Sequence, residues 1–109
     1  MKHQINASTR SLELTIPGDV LSTSADQLRS EILALFETEA AKSSRWTTLV
    51  LDLTAAKMVD SVGLNLLVSL YKEAKKRDAT CRALIKSQNI QRTFAFTRLD
   101  AHIDVVMVT

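Results

Sequence analysis

The chain turns on a joint between two hydrophobic patterns of different period. Leu49-Val50-Leu51 is a continuous apolar run that extends through Asp52 to Leu53, while Leu64–Ala74 carries its apolar residues at helical spacing. A run of this length between polar turns is a strand, and its continuity predicts a central strand covered on both faces. The stripe Leu64, Leu67, Val68, Tyr71 and Ala74, widened by Leu66 and Leu70, predicts a helix over about Val62–Lys76. Between them lies Val59-Asp60-Ser61-Val62-Gly63-Leu64. Asp and Ser are cap-forming residues, since a short side-chain oxygen can accept from the free amides of a first helical turn. Ser61 is thereby placed at the positive end of a helix dipole, where negative charge is tolerated. Gly63 carries no side chain, which lets another backbone or a partner approach closely.

The remaining segments alternate around this joint. Leu12, Leu14 and Ile16 alternate with Glu13 and Thr15, the period of a half-buried strand. A weaker strand near Gln4–Ala7 precedes it, with Ser8-Thr9-Arg10 as the hairpin connection, and Pro17-Gly18-Asp19 ends the pair, the glycine opening the turn. Ser24 and Gln27 have capping-box spacing ahead of a helix with Leu28, Ile32, Leu35 and Phe36 on one stripe, ending near Lys42-Ser43-Ser44. Trp46–Leu53 holds the third strand, in which Asp52 reads as a strand-end carboxylate held by loop amides. Cys81–Ile85 reads as a fourth strand with Cys81 as a small core residue. Ser87 caps a short helix carrying Ile90 and Phe94, with Phe96 on another side, and a last strand falls within Ile103–Val108. The order β-β-α-β-α-β-α-β predicts an α/β fold, a mixed sheet with right-handed parallel crossovers and packed helices, in a single domain over 1–109.

Composition narrows the function classes. A net charge of +2, with basic and acidic residues interleaved, argues against nucleic acid. Lys72, Lys75, Lys76 and Arg77 crowd one helix end, where cations complement the dipole, and read as a solvated terminus. No apolar run reaches the roughly 20 residues of a membrane span. Met1-Lys2-His3-Gln4 lacks the apolar core of an export signal, and one cysteine excludes an internal disulfide, so a cytoplasmic protein is expected. His3 and His102 have no partners at ligand spacing, two glycines leave no phosphate loop, and Ser61 has no nucleophile elbow. Neither a catalytic residue, a metal site nor a cofactor is expected.

Taken in order, several of these segments form a recognisable set. They are Gly18 and the helix opening Ala25-Asp26-Gln27-Leu28-Arg29, the strand Leu49–Leu53, the joint Met58–Leu64, and Ser87-Gln88-Asn89-Ile90-Gln91-Arg92-Thr93-Phe94. In order and spacing the chain resembles the STAS family, the bacterial anti-sigma factor antagonists. The resemblance implies that Ser61, directly after the loop aspartate, is phosphorylated by an anti-sigma factor that is itself a serine kinase. It implies that the unphosphorylated form binds this kinase through Asp60, Ser61, Val62, Gly63 and Leu64 and releases the sigma factor, and that phosphorylation of Ser61 abolishes binding. A serine phosphatase is an optional second partner. Two positions depart from the family pattern: Leu21, near where many members have an acidic residue, and Arg98, where a helix-ending glycine is common. A constitutive STAS subunit of a larger assembly, such as a lipid-transport ATPase complex or a stress-signalling scaffold, is the alternative that the same loop would serve.

Overall fold

A computed structural model describes residues 1–43 and 45–108. The strands are β1 (Lys2–Asn6), β2 (Ser11–Thr15), β3 (Thr48–Asp52), β4 (Thr80–Ile85) and β5 (Asp104–Met107), and the helices are α1 (Ala25–Phe36), α2 (Glu39–Ser43), α3 (Ser61–Lys76) and α4 (Gln88–Phe96). A 3-10 turn, Leu99–Ala101, precedes β5. The sheet runs β1-β2-β3-β4-β5, with β1 antiparallel to β2 and every later pair parallel. Each parallel crossover therefore moves one strand along in the same direction. Right-handed crossovers repeated in one direction place all their helices on one face.

That geometry corrects one expectation. β3 is central, as its sequence predicts, but it is covered on one face only, and its burial alternates along the strand. Leu14, Leu51, Ala83 and Val105 stand in one row beneath the helices, the first three fully buried. Glu13, Val50, Arg82 and Asp104 form the adjacent row on the opposite face. There Arg82 Nε donates to Asp104 Oδ2 at 2.9 Å, tying the edge strand to its neighbour.

Three local expectations also change. Ser24 does not form a capping box: its hydroxyl accepts from Leu21 N–H at 3.2 Å, while Gln27 Nε2 donates to Glu31 at 3.3 Å. The chain enters α1 through a turn in which Ser24 and Ala25 both donate to Leu21 O. The Ser24 backbone, at φ −123° and ψ −17°, lacks the extended geometry that aims a cap hydroxyl along the helix. α1 itself ends at Phe36, where i→i+3 bonds from Glu37 and Thr38 tighten the turn, and α2 follows as a separate helix. Of the end expected near Lys42-Ser43-Ser44, Ser44 lies outside the described residues. The buried stripe of α3 is Gly63, Leu66, Leu67, Leu70 and Ala74, so Leu64, Val68 and Tyr71 form a half-buried flank rather than its centre.

Other expectations hold. Asp52 Oδ1 accepts from the Thr54 amide at 3.0 Å and from its hydroxyl at 2.6 Å. Cys81 is buried, and the loss of hydration pushes its thiol up to about 12. Ser87 Oγ caps α4 by accepting from Ile90 N–H at 3.3 Å, while Ile90 and Phe94 are buried.

Left-handed backbone falls on Arg10, Arg45, Asp78 and Arg98 among the described residues, and on neither glycine. Gly18 thus does not open its turn through a positive φ. Arg98, at φ 60° and ψ 22°, joins α4 to the 3-10 turn in a conformation that crowds a Cβ. Arg98→Gly should therefore raise stability by about 1 kcal/mol, the relief of strain outweighing the added freedom of the unfolded chain. Urea unfolding of the two proteins checks this.

Candidate functional site

The site lies beyond the carboxyl ends of β2 and β3, where two loops are zipped together. Val20 and Val59 form a parallel bridge, with Val20 N–H donating to Met58 O at 3.1 Å and Asp60 N–H to Val20 O at 3.2 Å. Asp19 Oδ1 receives the amides of Lys57 at 2.7 Å and Met58 at 3.2 Å, and Ser87 Oγ donates to Lys57 O at 3.2 Å. The loops after β2 and β3 are thus joined backbone to backbone, and the Asp19 carboxylate and Ser87 hydroxyl add side-chain links that bring in the loop after β4. Sequence reading missed Asp19, Ser22 and Val20, because their partners stand nearly 40 residues away with no periodic signal.

Asp60 is the N-cap of α3. One carboxylate oxygen accepts from Gly63 N–H at 2.8 Å and the other from Ser22 N–H at 2.7 Å. These two backbone donors, first Gly63 and then Ser22, hold its pKa below the ordinary 3.8. Unfolding releases both, so the unfolded chain takes up the proton first on acidification. The charged cap contributes fully above the ordinary carboxylate value, and its contribution fades as pH falls through the lower folded value. Asp60→Ala should lower the melting temperature near neutral pH, and Asp60→Asn should lower it less because an amide oxygen can still cap. The gap between wild type and Asp60→Asn should narrow as melting is followed into that acidic range.

Gly63 is buried where α3 crosses the Val20 backbone. A Cβ there would overlap the Val20 carbonyl oxygen, standing 2.8 Å from its carbon and 3.0 Å from Val59 Cγ1. The close approach its sequence position anticipated is made by the chain's own backbone. Because that same carbonyl accepts the Asp60 amide, Gly63→Ala should push the two loops apart. The expected loss is about 1–3 kcal/mol, typical of overpacking, read by thermal unfolding.

Ser61 opens α3 as its first residue, with its side chain exposed. It lines a groove of about 270 Å³ with Leu64, Asn65 and Val68 of α3 and Thr97 and Leu99 from beyond α4. Thr97 and Leu99 were not legible as site residues. Close in sequence to the groove's lining residues, folding leaves three apolar side chains outside: Met58 is 51% exposed, Val62, next to Ser61, 38%, and Phe96, next to Thr97, 92%. Of the five predicted site residues, Asp60, Ser61, Val62 and Leu64 present atoms to solvent to differing degrees, while Gly63 is enclosed. The arrangement offers a hydroxyl at a helix N-terminus beside a carboxylate whose ionised form two backbone amides favour. Among the described residues no three potential metal ligands converge, and no helix is long and apolar enough to cross a membrane.

No curated protein sequence matches the chain. Solved structures do match its fold. TM1081 of Thermotoga maritima superposes with a TM-score of 0.79 at 16% identity, over 99% of this chain and 86% of that one. An anti-sigma factor antagonist from Mycobacterium paratuberculosis gives 0.73 at 20% identity, over 95% and 83%. The Bacillus cell fate determinant SpoIIAA in its phosphorylated form gives 0.65 at 17% identity, over 99% and 92%, and that antagonist is also matched in its unphosphorylated form. The STAS domain family model matches residues 2–108. With the mixed sheet, its one-sided helices and this model spanning almost every residue, the chain belongs to the STAS domain family.

Proposed function

We propose that the protein is a phospho-regulated anti-sigma factor antagonist, a binding module without catalytic activity. In its unphosphorylated form it docks on an anti-sigma factor serine kinase through Asp60, Ser61, Val62 and Leu64, and so frees the sigma factor. Phosphorylation of Ser61 by that kinase ends the complex, and a serine phosphatase would reset it. The cytoplasm is the compartment in which such a cycle operates. The observation that carries this reading is Ser61 itself, an exposed hydroxyl on the first turn of α3, set beside exposed Met58 and Val62. Gly63 supports the surface from beneath and does not contribute contact atoms.

The physical argument has two parts. A phosphate adds about −1.5 to −2 charges and three acceptor oxygens. At a helix N-terminus that charge is tolerated, so the free domain keeps its fold. SpoIIAA has this fold in both its phosphorylated and unphosphorylated forms. In a docked interface the same phosphate must be desolvated alongside the Asp60 carboxylate, whose ionised state the backbone amides favour. Two unit charges about 6 Å apart at an effective dielectric near 20 repel by roughly 3 kcal/mol, on the order of a hundredfold in affinity.

Titration calorimetry of the anti-sigma partner against four forms tests the proposal, with circular dichroism to monitor folding. Ser61→Ala should bind like wild type and resist phosphorylation. Ser61→Asp should fold and bind more weakly, and phosphorylated protein should bind weakest because it carries almost twice the charge. Equal affinities for wild type, Ser61→Asp and phosphoprotein would overturn the switch and favour a constitutive subunit of a larger assembly.

A further inference from the structure

The opposite pole of the molecule holds a second concave surface, between the last turn of α3 and residues of α2 and just beyond it. It encloses about 540 Å³ and is walled by Lys76, Arg77 and Glu73 on one side and by Lys42 and Arg45 on the other, with Trp46 in its lining. Among the described lining residues, four cations thus accompany one carboxylate. Glu73 is already shared, accepting from Lys76 Nζ at 3.2 Å and from Arg77 Nη1 at 2.9 Å, and Lys42 reaches outward to Glu37 at 3.2 Å. Arg45 has no acidic partner among the described residues. The run at the end of α3 taken alone is a solvated terminus; the fold brings Lys42 and Arg45 across to it and makes a cavity.

We propose that this cavity binds a small molecule bearing a phosphate or pyrophosphate group. Its volume is that of a small-ligand pocket rather than of a protein interface. Guanidinium and ammonium groups arriving from two elements suit a multiply charged oxyanion, which arginine meets with paired N–H donors. Ring stacking is not the recognition mode: Arg77 covers the Phe36 ring at 4.8 Å from its centroid, and Phe36 and Trp46 are both buried, their rings 5.8 Å apart. The cavity's α3 residues, Glu73 and Lys76, stand about 18–23 Å along the helix from Ser61, so the ligand and the proposed partner can bind together. The inference does not depend on the Ser61 reading.

Trp46 is the single tryptophan of the chain, and its fluorescence reports on the cavity directly. Titration of the intact protein with sodium pyrophosphate and with inorganic phosphate should change the emission saturably, whereas sodium chloride at matched ionic strength should not. Arg45→Gln and Lys76→Gln, each verified as folded by circular dichroism, should weaken pyrophosphate binding about tenfold or more, the loss of one charge-assisted contact. Arg82→Gln, on the helix-free sheet face, should leave it unchanged. A response reproduced by sodium chloride, one that never saturates, or one unaffected in both Arg45→Gln and Lys76→Gln would overturn the site. Citrate binding as tightly as pyrophosphate would overturn its assignment to phosphate.

Discussion

Asp60 holds together the end of this domain that carries the candidate site. Its two carboxylate oxygens join elements that lie far apart in the chain: one closes the first turn of α3 through the Gly63 amide, the other fixes the loop after β2 through the Ser22 amide. The Val20–Val59 backbone bridge runs directly beneath. Both interactions require α3 to sit almost on the Val20 carbonyl, which only a residue without Cβ allows. Cap, bridge and glycine are one device. Backbone donors satisfied by a carboxylate are costly to unmake in a half-buried place, so Ser61 is carried on a rigid support rather than a loose loop.

This construction separates the chemistry of the proposed switch residue, Ser61, from the stability of the domain. Ser61 makes no contact on which α3 depends: the cap belongs to Asp60, and the packing to Leu66, Leu67 and Leu70. A charge placed on Ser61 therefore acts on whatever docks there. Phe96, Met58 and Val62 are exposed, Val62 directly after Ser61 in the chain, and exposed apolar side chains are a feature of recognition surfaces. Function, on the proposed reading, resides in desolvation of that surface and not in a conformational change of the fold.

The one-sided helical layer is the second organising constraint. Sequential parallel strands with right-handed crossovers leave the row Glu13, Val50, Arg82 and Asp104 facing away from every helix. The polar members of that row satisfy the exposed face, and the Arg82–Asp104 pair ties β5 to the sheet. Val50 shows why the strand was misread from sequence. Three apolar residues in a row carry no information about whether the second face has a cover, since a half-buried Val is equally compatible with β-structure.

By itself the sequence determined the alternation of strands and helices, the core residues Leu12, Leu14, Leu49 and Leu51, the cap at Ser87 and the place of Ser61 at the start of α3. All of these follow from hydrophobic period and local cap chemistry, which act over a few residues. Only the tertiary structure decided that Asp60 also binds Ser22, that Gly63 faces Val20, that Thr97 and Leu99 border Ser61, and that Lys42 and Arg45 confront the cationic end of α3. It also decided against the Ser24 capping box, because the turn entering α1 rotates that hydroxyl toward Leu21 and Asp19. Local patterns report which face of an element is apolar. Which groups meet across the fold depends on crossover handedness and loop closure, and single-residue chemistry encodes neither.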